Sequence, residues 1–90
     1  MSKAVVDPGE LRRFAHDLKR FNTNLRDQMT ALAGRMNELG ETWRDQEHAK
    51  FAAEFEDTLR VLARFTDTTD KHVPFLIRKA EKIEAYLNQK

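Results

Sequence analysis

Ninety residues make one domain, and a chain this short buries only about 60% of its unfolded surface, so it gains stability by associating with a partner. Asp, Glu, Lys and Arg make up 34% of it, with only three glycines and two prolines, which is the composition of long helices. The formal charge of +1 lacks the basic footprint of a nucleic-acid-binding domain, and with no cysteine neither a disulfide framework nor a thiolate metal site can form.

Asp7-Pro8-Gly9-Glu10 reads as a helix start. The Asp7 carboxylate accepts from orphan amides, Pro8 sits where a missing N–H costs nothing, and Glu10 reaches back in a capping-box-like pair. Val6 and Leu11 take the staple positions on either side. Leu11, Phe14, Leu18, Phe21, Leu25, Met29, Leu32, Met36 and Leu39 then recur at three- and four-residue spacing, predicting a first helix over about 8–39 with one narrow apolar seam. The two consecutive fours around Met29 relax the supercoil as a local stutter.

Gly40 is expected at the C′ position in the left-handed conformation, and Thr42 is expected to cap a second helix with Asp45 at N3. That leaves a turn at 40–42 and makes the two helices antiparallel neighbours. Trp43, the single tryptophan, falls at the joint, where a large ring can wedge between diverging helices; the plainer reading is that it covers a small core. Helix 2, about 43–88, continues the seam through Phe51, Phe55, Leu59, Leu62, Phe65, Val73, Leu76, Ala80, Ile83 and Leu87. Poor helix formers at Thr66-Asp67-Thr68-Thr69-Asp70 and then Pro74 predict a kink near 70–74, the alternative being a third helix starting at Pro74.

A turn centred near residue 42 places Leu11 opposite Val73 and lets everything after about Phe75 overhang. Phe75, Leu76, Ile77, Ile83, Tyr86 and Leu87 would then form an exposed partner interface. Charge is segregated along the chain: residues 1–40 carry seven bases and five acids, 41–70 four and eight, and 71–90 five and two, or +2, −4 and +3. The expected fold class is therefore all-α: an antiparallel hairpin with a long, kinked second helix that gains from association.

Chemistry finds little purchase in this pattern. A di-iron bundle needs Glu-X-X-His on each of two helices, and only Asp45-Gln46-Glu47-His48 approaches it; His16, His48 and His72 read as surface or seam-flanking residues. There is no Gly-rich phosphate loop and no nucleophile constellation, so no catalytic, cofactor or metal residue is assigned and no enzyme is expected. The basic pairs Arg12-Arg13, Lys19-Arg20 and Arg78-Lys79 are interrupted by acids, so no nucleic-acid partner is expected. No apolar run reaches the roughly 18 residues of a spanning helix, and Met1-Ser2-Lys3-Ala4-Val5-Val6 lacks a Sec signal core, so stable membrane insertion is not expected and export would take another route.

Two long helices joined by a short turn carrying Trp43-Arg44-Asp45, with Phe51 and Phe55 following, resemble the WXG family of small type VII secretion proteins, the ESAT-like proteins. The resemblance spans nearly the whole chain. It implies a homodimer, or a heterodimer with a paralogue, of hairpins packed as a four-helix bundle and engaging secretion machinery. It further implies a chain held in the cytoplasm before export, secreted without a Sec signal, and acting as effector or adaptor rather than as enzyme. Two positions depart from the family pattern: Asp45 replaces the motif glycine, and Tyr86 is followed four residues on by Lys90 where the family export signal has an acid. The alternative is an intracellular helical interaction module that is not exported.

Overall fold

The computed structural model of the chain describes residues 6–88, so Lys90 lies outside the described residues. Two helices, α1 (Pro8–Leu39) and α2 (Gln46–Leu87), pack antiparallel as a hairpin. The rod measures 70 × 21 × 17 Å with a radius of gyration of 20.3 Å, against about 12 Å for a compact globule of this length. A rod two helices wide has no interior beyond its seam. Ala15, Asn22, Thr66 and Ala80 are the buried residues of the two helices.

Helix α1 opens on Asp7, whose backbone is extended (φ −76°, ψ 118°) and whose Oδ1 accepts from the Gly9 amide at 2.8 Å, with Pro8 at the first helical position. Glu10 places its charge in the first turn, but among the described residues the return bond to Asp7 is not formed. The helix ends differently from the sequence expectation. Gly40 is right-handed (φ −66°, ψ −14°), and Thr42 donates to the Leu39 carbonyl at the end of α1 rather than capping α2. Asp45 is the residue that caps α2, its carboxylate accepting from the His48 amide at 3.0 Å, so α2 starts at Gln46 instead of Trp43.

Helix α2 runs unbroken through Pro74, which excludes a third helix starting there. The threonine-rich stretch before it stays helical because its hydroxyls satisfy the backbone locally: Thr66 donates to the Ala63 carbonyl and Thr69 to that of Phe65, each at 2.8 Å.

The register is shifted from the turn-centred pairing by one heptad. Asn22 donates to Thr69 Oγ1 at 2.8 Å, and Arg12 grips Glu84 through two bonds of 2.7 and 3.1 Å. The expected overhang after Phe75 is therefore absent: α1 reaches as far as Glu84, and Ala80 is fully buried. The reason is local, because a six-residue connection over 40–45 carries the chain beyond Leu39 before α2 begins.

The single seam drawn from sequence resolves into two stripes. Leu11, Ala15, Leu18, Asn22, Leu25, Met29 and Met36 face α2, while Phe14 and Phe21, one position to the side, are more than half exposed. Toward the loop the contact moves off Leu32 and Leu39 onto Ala33 and Gly40, the drift of a 3.6-residue helix against a seven-residue repeat.

Candidate interaction site

Heptad geometry gives the hairpin two unlike flanks. On one side of the seam Arg12 pairs with Glu84, and Arg26 with Asp70 at 2.7 Å and Asp67 at 3.1 Å. On the other side stand Phe14 and Phe21 of α1 and Phe51 and Phe65 of α2. Phe21 and Phe65 meet edge to face across the helices with centroids 6.4 Å apart, yet each keeps about half of its surface exposed. The first flank is closed by ion pairs; the second is an exposed apolar face.

The ion pairs leave a signature in the carboxyls. Hydrogen bonds from Asn22 and then Arg26 hold the Asp70 carboxyl below the usual carboxylate range, and Arg12 does the same for Glu84. Asn22 is the node between helices: its fully buried amide donates to Thr69 Oγ1 and to Asp70 Oδ1 at 2.9 Å, and more weakly to the Thr66 carbonyl. Its Oδ1 is buried and has no hydrogen-bond partner among the described residues. This polar node in the seam was missed at the sequence level, where position 22 fell beside a stripe assigned to Phe21; the three-four spacing from Ala15 and Leu18 to Leu25 marks it.

At the loop, Trp43 is half-buried and its aromatic neighbours both lie on α2: the His48 ring edge-on at 5.0 Å and the Phe51 ring at 6.0 Å, with Phe55 stacked beyond at 5.9 Å from Phe51. The side chain that closes the joint is His48 rather than Trp43. A Cβ on Gly40 would lie 3.1 Å from His48 Cε1, so this glycine serves a close approach and not a left-handed turn. Beside it a cleft of about 460 Å³ is lined by Ala33, Met36, Gly40, Arg44, His48 and Phe55.

The geometry also explains Asp45. Its backbone is extended with negative φ, so no glycine is required, and aspartate ranks among the strongest residues for an N-cap. The Asp45-to-His48 spacing that hinted at a metal ligand pair is this cap. Among the described residues no three His, Asp or Glu side chains converge as a metal site, and no helix is long and apolar enough to cross a membrane.

Of the six residues assigned to a partner interface, Leu76, Ile77 and Ile83 are half-buried, whereas Phe75, Tyr86 and Leu87 are exposed. Comparison with solved structures finds the same hairpin in the secreted protein EsxB of Bacillus anthracis strain Sterne. The selenomethionine-labelled form is 26% identical over 98% of this chain and 100% of that one, with a TM-score of 0.79. A variant of EsxB with one proline replaced by alanine gives a TM-score of 0.85 at 26% identity over 96% and 100% of the two chains. No curated protein matches the sequence. The family model described as proteins of 100 residues with WXG matches residues 4–88, nearly the whole hairpin and its Trp43 loop, and the chain therefore belongs to the WXG100 family.

Proposed function

We propose that this protein acts without catalysis, through protein–protein contact, as a substrate or adaptor of a type VII secretion system. Its working form is a homodimer of hairpins packed as a four-helix bundle. The observation that carries this reading is the apolar flank. Four phenylalanines from both helices are displayed on one side of a rod that has no other core, and aromatic residues of this kind anchor interfaces. Burying the Phe14, Phe21, Phe51 and Phe65 face against a second hairpin supplies the layer that one hairpin lacks. The family membership and the secreted Bacillus anthracis relatives support the secretory assignment.

Sedimentation equilibrium tests the assembly. The intact chain is expected at twice its 10.5 kDa mass, and the Phe21→Glu/Phe65→Glu variant at the monomer mass with reduced helicity. A wild-type chain that stays monomeric at tens of micromolar removes the homodimer and leaves a paralogue as the partner.

The second reading, a hairpin that is not exported on its own, is favoured by Tyr86 preceding Lys90 by four residues, where the family signal carries an acid. Tyr86 is three-quarters exposed near the end of α2. Expressed alone in a host with a standard type VII system, the wild-type chain is expected to remain in the cells, and Lys90→Glu to increase its export. Efficient secretion of the lone wild-type chain would count against this reading.

A further inference from the structure

The last third of α2 sorts its charges by direction. From residue 70 onward there are three acids among the described residues: Asp70 pairs with Arg26 and Glu84 with Arg12, while Glu81 is exposed three residues before Glu84. The four bases of the same stretch, Lys71, Arg78, Lys79 and Lys82, make no ion pair among the described residues. Phe75, 57% exposed, lies among three of them in a shallow cleft of about 240 Å³ shared with Arg78, Lys79 and Lys82. Phe75, Lys79, Lys82 and Tyr86 follow one another at four, three and four residues, which puts them in one line along α2 of about 16 Å, or three turns.

We infer that this line is a docking surface for an acidic amphipathic helix of a partner protein. Such a helix lays one apolar side chain beside Phe75 and presents carboxylates, one turn to either side, to Arg78, Lys79 and Lys82. The length of the line fits a short helix. Long polyanions are disfavoured by the neighbouring segment, because residues 41–70 of the same rod carry a net charge of −4 and repel a nucleic acid or an anionic membrane lying along it. The line continues the flank that carries Phe65, since Lys79 and Tyr86 follow it at two and three heptads, and it does not depend on export.

The probe is a fluorescently labelled synthetic helix with a central leucine and glutamates three and four residues to either side, with a glutamine-for-glutamate version as control. Anisotropy titrations use the intact chain, and sedimentation and circular dichroism follow every variant. The glutamate peptide is expected to bind, with roughly tenfold loss in the control peptide, in Lys79→Glu/Lys82→Glu, and on raising salt. Phe75→Ala is expected to weaken binding while keeping its salt dependence. Equal binding of the two peptides, or undiminished binding by the charge-reversed chain, overturns the inference. So does binding to phosphatidylserine-containing vesicles or to single-stranded DNA with no binding to the peptide. A chain that proves monomeric yet binds the glutamate peptide overturns the dimer alone and upholds this surface.

Discussion

At residue 22 a polar side chain sits where a hydrophobe would pack, and its bonds tie α1 to three features of α2: the Thr66 carbonyl, Thr69 and Asp70. Sliding the helices by one turn would strand a buried amide, so Asn22 selects the register as well as stabilising it. Asn22→Ala is expected to lower stability by about 1–3 kcal/mol, read from urea unfolding followed by circular dichroism. Gly40 is constrained by space rather than by backbone angle. Its right-handed φ suits alanine, which elsewhere at a helix end would stabilise, but the His48 ring 3.1 Å from the added methyl is backed by Trp43 and has little room to yield. Gly40→Ala is expected to lower the melting temperature in the wild-type background and to leave it unchanged or raised in His48→Ala, a comparison that thermal melts of the four chains make directly. Trp43 packs against His48 and Phe51 of α2 and is half-buried. Its truncation to alanine is therefore expected to cost less than the roughly 3–5 kcal/mol of a fully buried aromatic, with a change in melting temperature as the readout.

Between the elements, the polar flank imposes a pH dependence whose sign follows from its carboxyls. Asp70 and Glu84 have folded-state values below their ordinary ones of about 3.9 and 4.3, so the folded protein binds their protons less tightly than the unfolded chain does. The stability they contribute is fully present above those ordinary values and is lost as pH falls through the lower folded values. Both pairs are substantially solvated, so their worth at neutral pH is small. Thermal melts are expected to be level from about pH 6 to 8 and to fall below about pH 4, with Asp70→Asn/Glu84→Gln showing a shallower acid limb. An acid limb as steep in the double variant as in the parent would assign it to other carboxylates.

For the molecule as a whole, a 70 Å rod one seam thick leaves Phe14, Phe21, Phe51 and Phe65 exposed on the side opposite the Arg–carboxylate pairs, the side proposed for a second hairpin. Charge then distinguishes the two ends of the rod. The loop half is acidic and aromatic, and the open half displays bases around Phe75. Addition of salt is expected to leave the proposed phenylalanine-mediated dimer intact while weakening any acidic helix held at the open end, a contrast that sedimentation and anisotropy at two ionic strengths reveal.

The two helices were legible because local chemistry specifies them: apolar residues at three- and four-residue spacing, Asp7-Pro8 at one start, and few breakers between. The family was legible for the same reason, since a hairpin of this length with a tryptophan in its joint is nearly the whole pattern. Other features depended on three-dimensional geometry. Whether Thr42 or Asp45 capped α2 turned on how far the loop climbed past Leu39, and both residues suit an N-cap. Which of Phe21 and Asn22 faced the partner helix differed by one position, about 100° of rotation, and either choice continues a three-four spacing. The register turned on contacts between residues more than forty positions apart, Asn22 with Thr69 and Arg12 with Glu84, and a heptad pattern repeats itself too faithfully to distinguish one seven-residue slip from the next.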